Sequence, residues 1–361
     1  MTQTNGASPE PAERQVALVF DLNKCIGCQT CSVACKVLWT REEGQEYQWW
    51  CTVNTLPGRG HPKDWEGMGG GYRGGVTQAG RQPTRDEWGG GWDFNYEEVL
   101  YGGKAQSVHL HPTGKEPEWG PNWDEDQATG EYPNTYYFYM PRICNHCTKP
   151  ACVEACPRGA MYKRPEDGVV LRDEEKCRGY QFCLEACPYK KIYFNFMREV
   201  SQHCMLCFPR LEQSVTPACV RQCPGRAIWL GYLDDETGPV NKLVRQWNVA
   251  LPLHPEYGTE SNVFYIPPLG PSLLDSNNDF DDSKSRIPPE YMESLFGPDV
   301  HSALATLQTE MDTTRNGGSS ELMDTLVAYK WGEMFKPFDR DPGEIQWEPL
   351  PLVEIDKGSS E

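Results

Sequence analysis

Fifteen of the sixteen cysteines fall into four motifs, and every motif ends in two cysteines four positions apart: Cys31/Cys35, Cys152/Cys156, Cys183/Cys187 and Cys219/Cys223. Residues at i and i+4 of a helix lie on one face with Cβ atoms roughly 5–6 Å apart, so two such thiols can reach two different metal groups. The complete motifs read Cys25-x2-Cys28-x2-Cys31-x3-Cys35, Cys144-x2-Cys147-x4-Cys152-x3-Cys156, Cys177-x5-Cys183-x3-Cys187 and Cys204-x2-Cys207-x11-Cys219-x3-Cys223. Thiolates are the standard ligands of iron–sulfur clusters, and in the bacterial ferredoxin run the last cysteine of a motif ligates the neighbouring cluster. Each motif then ties two clusters together, and the chain reads as an electron conductor.

Under that crossover Cys25, Cys28 and Cys31 bind one cluster with Cys223 as fourth ligand, and Cys204, Cys207 and Cys219 bind the next with Cys35. Cys144, Cys147 and Cys152 bind a third with Cys187, which leaves Cys156, Cys177 and Cys183 for a fourth. The missing ligand position falls on Tyr180 in CRGYQFC, and a tyrosine oxygen substitutes poorly for a soft thiolate. Two readings follow: a three-iron cluster with Tyr180 packed beside it, which is preferred, or a four-iron cluster with an unusual fourth ligand.

Other uses of cysteine fit less well. The spacing is wrong for a disulfide framework; Cys-x2-Cys pairs also bind zinc, but fourfold ferredoxin spacing speaks against it. No Cys-x-x-Cys is followed by His, so covalent haem is not indicated. Cys51 lies outside every motif and reads as a buried, inert thiol. His146 and His203 adjoin cluster cysteines, where they are expected to pack or donate hydrogen bonds. GMGGGYRGG at 67–75 lacks the spaced glycines of a dinucleotide fingerprint and reads as a flexible loop contacting a partner. Trp49, Trp50, Trp65, Trp88 and Trp92 around it suit an interface with a large subunit.

Strand candidates are VALVF at 16–20, GAMYKR, VVL and KIYFNF; AIWLGYL follows the last motif, and proline follows the last cysteine of three motifs, ending the short helix there. The expected fold class is α+β: two interleaved ferredoxin-like modules, a long irregular insertion and an extended C-terminal arm. Residues 1–14 are a disordered lead-in; 15–40 and 195–233 form the outer module; 41–136 are a Gly/Trp-rich insertion contacting a partner; 137–194 form the inner module. Residues 234–361 are an irregular acidic arm with helices near SALATLQTEM and ELMDTLVAYKWGEMF. At 38% hydrophobic content with 34 Gly and 30 Pro the apolar core is modest, so metal ligation is expected to supply folding energy and the metal-free chain to be largely unfolded over residues 141–230.

The net charge of −18 is uneven. Residues 141–228 hold 14 Lys/Arg against 9 Asp/Glu, whereas residues 271–361 hold 7 against 19. The basic stretch offsets anionic clusters, with Arg178 and Lys190 among the groups expected to set potentials, and the acidic exterior excludes nucleic acid as a partner. Such a surface also suits a high-salt milieu. No run approaches the ~18 apolar residues of a membrane span, and MTQTNGASPEPAERQ is not a signal peptide, so export would need a partner's signal.

FDLNKCIGCQTCSVACKVLWT, CRGYQFCLEACPYKK and HCMLCFPRL closely resemble the iron–sulfur β subunit of respiratory nitrate reductase, within the type II dimethyl sulfoxide reductase family. Sister subunits serve nitrite, perchlorate, chlorate, selenate, dimethyl sulfide and ethylbenzene enzymes. The resemblance covers roughly residues 15–270 with all four motifs in order. It implies three [4Fe-4S] clusters and one [3Fe-4S] cluster, in agreement with the ligand sets above. It also implies electron transfer between a molybdopterin-containing α subunit and a haem-bearing or membrane electron-donor subunit, with no substrate-binding catalytic residue in this chain. Tyr180 departs from the tryptophan often found there, which bears on the substrate. With the acidic surface the chain looks like a haloarchaeal nitrate reductase subunit, a peripheral part of a membrane-associated complex on the outer face after co-export, or else on the cytoplasmic face. A free-standing polyferredoxin is the alternative of another class.

Overall fold

The computed structural model describes residues 12–91, 94, 95, 98, 99, 109, 111–113 and 128–344; Trp92 and the ends of the lead-in and arm lie outside them. VALVF folds as β1 (Val16–Asp21), with all six residues buried. A strand without a polar face is covered on both sides. The first cysteine motif follows and carries α1 (Thr30–Trp39). The chain then enters the insertion through β2 (Thr52–Leu56) and returns through β5 (Phe138–Arg142), which pair antiparallel from Thr52↔Arg142 to Leu56↔Phe138. Between them lie a short hairpin, β3 (Tyr72–Arg73) and β4 (Val76–Thr77), and a single helical turn, α2 (Arg85–Trp88). Because the ribbon brings its ends together, so long an insertion interrupts the fold at small extra cost.

Next come α3 (Ala151–Glu154), the hairpin of β6 (Met161–Lys163) and β7 (Val170–Arg172), and α4 (Phe182–Ala186). A second hairpin joins β8 (Ile192–Asn195) to β9 (Val200–His203). Then follow α5 (Phe208–Leu211), α6 (Ala218–Arg221) and β10 (Ile228–Tyr232). The β8–β9 hairpin straddles position 194, so the inner and outer segments meet in one ribbon there.

The rest of the described chain is less irregular than its composition suggests. After α7 (Pro239–Asn241) come β11 (Leu251–Pro252) and β12 (Val263–Ile266), which complete a four-stranded sheet of order β10-β1-β12-β11. β1 is antiparallel to β10 and parallel to β12, with Leu18 opposite Val263. The expected irregular arm is therefore corrected: its first part is core, and Val263, Tyr265 and Ile266 are fully buried. Tyr265 stacks on Phe20 at 5.7 Å between ring centroids. A hairpin of β13 (Ser272–Leu274) and β14 (Phe280–Ser285) follows, then α8 (Pro289–Phe296), α9 (Val300–Arg315) and α10 (Glu321–Val327). The last two fall on the two helix expectations, although α10 stops at Val327 and only a 3-10 turn covers Trp331–Phe335.

The tryptophan expectation also needs correcting. Trp49, Trp50, Trp65 and Trp88 are buried within this chain, with Trp88 against Tyr193 at 4.5 Å between centroids. These four rings tie the insertion to its own protein. Lys36 of α1 does the same with charge: its Nζ donates to the carbonyls of Gln45 (2.6 Å), Glu46 (3.1 Å) and Gln48 (3.1 Å) while only 2% exposed. Lys36→Met leaves those carbonyls buried without their donor, so it is expected to destabilise the folded chain by about 2–4 kcal/mol. The measurement is the urea midpoint of the iron-loaded protein; an unmoved midpoint would mean that water replaces the ammonium.

Candidate metal centres

Each Cys-x3-Cys pair sits on a short helix or just past its end. Cys31 and Cys35 lie on α1, whereas Cys156, Cys187 and Cys223 follow the last helical residue of α3, α4 and α6. Ahead of these helices the backbone repeats one device. Gly27 (φ 67°), His146 (φ 42°), Gly179 (φ 65°) and Leu206 (φ 51°) are all left-handed, and each directly precedes the residue three positions after its motif's first cysteine. That residue is Cys28, Cys147, Tyr180 and Cys207 respectively. Left-handed backbone is rare for non-glycine residues, so Tyr180 occupies, by conformation as well as spacing, the place cysteine holds in the other three. At Gly27 the conformation has a steric companion: a Cβ there would meet the Tyr139 ring at 2.6 Å.

The structure brings the motif cysteines together in four groups. Cys25, Cys28, Cys31 and Cys223 line the first cavity. Cys144, Cys147, Cys152 and Cys187 line the third. Cys156, Cys177 and Cys183 line the fourth, and the remaining wall there includes Tyr180. The remaining group, second in the order of the ligand sets, is Cys35, Cys204, Cys207 and Cys219, close enough that the first three all act electrostatically on the Cys219 thiol. Among the described residues no three His, Cys, Asp or Glu side chains converge on a point that could hold one metal ion. Three or four thiols to a group, in ferredoxin spacing and with no point that suits a single ion, fit a polynuclear cluster better than zinc.

The groups form a row. α1 and the Cys219/Cys223 pair join the first to the second, and the Cys152/Cys156 and Cys183/Cys187 pairs join the third to the fourth. The second meets the third at Cys204 and Cys144, close enough that the Cys204 thiol acts electrostatically on the Cys144 thiol.

The surroundings favour thiolate sulfur. Trp39 Nε1 donates to Cys207 Sγ at 3.0 Å, and backbone N–H groups of Ala160, Leu206 and Ala227 point at Cys156, Cys204 and Cys223 Sγ at 3.3, 3.4 and 3.4 Å. Ser201 Oγ lies 3.3 Å from Cys183 Sγ. Without metal, burial pushes the thiols of Cys25, Cys147, Cys183 and Cys204 up to about 12, so metal loading must displace protons. Cys31 differs: a hydrogen bond from Cys51 pulls its thiol down. Cys51 is thus buried as expected but placed against a motif cysteine, a neighbour its sequence position does not reveal.

The flanking histidines are buried and neutral. Val170 N–H donates to His146 Nδ1 at 3.1 Å, and His203 Nδ1 donates to the Cys204 carbonyl at 2.7 Å; burial pushes His203 down to about 4. Arg178 is exposed and holds the Glu175 and Cys177 carbonyls at 2.6 and 2.9 Å. Lys190 donates to the Glu185 carbonyl at 2.9 Å. The sequence reading missed Lys163, whose Nζ bonds the His146 and Cys147 carbonyls at 3.3 and 3.2 Å beside the third cavity, and Lys191, which lines that cavity. Burial pushes Lys191 down to about 7 with Arg142 adding to the effect, while the thiols of Cys51, Cys204 and Cys35 act in the opposite sense. The glycine run is placed too: Gly71 N–H and Gly80 N–H donate to the Ala186 and Glu185 carbonyls at 2.8 and 3.1 Å, so it covers the end of α4 rather than standing free.

Residues 135–233 match the family model of a 4Fe-4S dicluster domain. Over 323 residues the chain is 54% identical to the chlorate reductase β subunit of Ideonella dechloratans, covering 88% of this chain and 97% of that one. It is 52% identical to the selenate reductase β subunit of Thauera selenatis over 322 residues, 88% and 97% of the two chains. It is likewise 52% identical to the respiratory nitrate reductase β subunit of Haloferax mediterranei over 324 residues, 87% and 91% of the two.

Proposed function

The chain belongs to the iron–sulfur β subunits of the type II dimethyl sulfoxide reductase family, and from that premise we propose that it conducts electrons along four clusters to a molybdenum catalytic subunit that reduces nitrate. When bound, each cluster supplies a site that takes up and gives back one electron. The observation that carries the reading is the row of four cysteine groups, with shared Cys-x3-Cys pairs joining the first to the second and the third to the fourth.

Cys25, Cys28, Cys31 and Cys223 hold the first [4Fe-4S] cluster; Cys35, Cys204, Cys207 and Cys219 the second; Cys144, Cys147, Cys152 and Cys187 the third. Cys156, Cys177 and Cys183 hold a [3Fe-4S] cluster, with Tyr180 over its open corner. The protein's part is to fix these thiolates, keep water from the middle of the row and place cations beside it. Two interleaved ferredoxin-like modules do this. Pairing of β1 with β10 supports an outer module of 15–40 with 195–233, and the β6–β7 hairpin supports an inner one of 137–194.

Contacts with partners belong at the ends of the row. Cys28 and Ile26 are exposed at the first cavity, and Tyr180 and Phe182 are exposed at the fourth. One end faces the molybdenum subunit and the other a haem-bearing or membrane subunit. No helix among the described residues is long and apolar enough to cross a membrane, which suits peripheral attachment, on the outer face through co-export with a partner.

The test is oxidation of a reduced viologen dye by the natively purified complex with nitrate, chlorate, perchlorate, selenate or dimethyl sulfoxide. A strong preference for nitrate is expected. Turnover with another acceptor alone would move the chain to a sister branch, a reading that its 54% identity to a chlorate reductase subunit keeps in view.

A further inference from the structure

Shared Cys-x3-Cys pairs span two of the three gaps in the row. The middle gap, between the second and third groups, has none, and a buried cation stands there instead. Lys191 follows the Cys187-Pro188 corner and is 1% exposed. Its side chain lines the third cavity, while its charge acts on Cys35 and Cys204 of the second group.

The cage around Nζ suits an ammonium. It donates to the Trp49 carbonyl at 3.1 Å, to Thr52 Oγ1 at 3.2 Å and to the Tyr193 hydroxyl oxygen at 3.4 Å. The Tyr193 hydroxyl hydrogen already goes to the Trp49 carbonyl, so toward Lys191 that oxygen can only accept. Three acceptors match three hydrogens; a neutral amine would have two. Among the described residues no carboxylate pairs with Lys191, and a buried charge is costly without a counter-charge. Thiolates and the anionic clusters they hold are the negative charge within reach, and ligation, by turning the thiols into thiolates, strengthens their hold on the ammonium. Arg142, the neighbouring buried cation, contrasts with it: the groups acting on it are Glu66 and tyrosines, not cysteines.

We propose that Lys191 is the shared counter-cation of the second and third clusters, at the one gap that no Cys-x3-Cys pair bridges, and raises both their reduction potentials. A fixed positive charge stabilises the reduced, more negative state of a nearby cluster. Because it lines the third cavity and its charge reaches the second group, it lifts both potentials relative to those of the terminal clusters. The inference rests on the four-cluster reading.

The experiment is an anaerobic redox titration of the natively purified complex, followed by EPR, with iron content measured on the same samples. In Lys191→Met two of the four clusters are expected to become at least tenfold harder to reduce, 59 mV for one electron. The other two stay within that margin, and Lys191→Arg retains all four potentials. Should the methionine variant lose iron, Lys191→Gln, which keeps amide donors for the same oxygens, carries the same expectation. The inference is overturned if both neutral variants lose iron, if all four potentials stay put, if the shift spreads equally to all four, or if arginine shifts them as methionine does. A wild-type complex with fewer than four reducible clusters defeats the functional reading itself, and this inference with it.

Discussion

Tyr180→Cys is expected to turn the fourth site from a three-iron into a four-iron centre. The position carries everything a ligand needs except sulfur: it lies three residues after Cys177, behind a left-handed glycine, at the edge of a cavity lined by Cys156, Cys177 and Cys183. At the same backbone position the other three motifs present a cysteine. The tyrosine side chain is 57% exposed and stacks on Phe182, so removing it opens little of the core, and the stability change should stay near the ordinary range for surface sites, about 0.5 kcal/mol. The chemical change should be large. The EPR signal of the oxidised three-iron cluster should disappear from the complex, iron content should rise by about one atom, and the potential of the site should move, since cluster type is a main determinant of potential. An unchanged oxidised three-iron signal would count against the ligand assignment and revive the reading in which Tyr180 or another group already completes a four-iron cluster.

Much of the site is legible in the sequence because cluster ligation imposes short spacings that survive any tertiary context. Cys25, Cys28 and Cys31 are close in sequence as well as in space. Even Cys223 can be assigned to them, because a Cys-x3-Cys pair must serve two groups. What surrounds the cysteines is another matter. Lys36 and Lys191 are lysines by composition, and nothing in VACKVLW or CPYKKIY announces a buried ammonium; the acceptors come from the insertion, at Gln45, Gln48, Trp49 and Thr52, and only folding brings them there. Cys51 is isolated in sequence yet sits against Cys31.

The sheet shows the same limit. β1 and β10 are evident as apolar runs, but β12 pairs with β1 in parallel across more than two hundred residues, inside a stretch whose prolines suggest an arm. Four residues of VFYI carry too little periodicity to show that they are central. The tryptophans mislead for a related reason: an aromatic-rich insertion suits a partner surface and a self-packed ribbon equally well, and Trp49, Trp50, Trp65 and Trp88 follow the second course.

Removing iron anaerobically with a chelator is expected to unfold the cluster-bearing region while sparing the main sheet. The inner hairpins and α4 gather a separate small core of six buried residues, Met161, Val170, Cys183, Leu184, Ile192 and Phe194, one of which is itself a proposed ligand. α3, α4, α5 and α6 are four or five residues long, far below the ~12–15 residues at which an isolated helix is even marginal in water. Their positions are therefore held by ligation and by contacts that ligation organises. β1, β10 and β12 pack around Phe20, Trp229 and Tyr265, none of them a ligand, in a much larger core that Cys31, Cys35, Cys204 and Cys219 only border. Hydrogen exchange should lose its protection across residues 141–226 and keep it in β1 and β12, and circular dichroism should show a broad loss of the sharp holo-protein melt. Structure surviving chelation should also be sensitive to alkali. A thiol raised from 9.0 to about 12 in the folded state, as at Cys25, which lies outside the region that unfolds, stabilises folding while protonated. Above pH 9 the unfolded chain ionises first, and the stabilisation drains away up to about pH 12. A metal-free chain that melts cooperatively, like the holo-protein, would show that packing alone holds the cysteines in place.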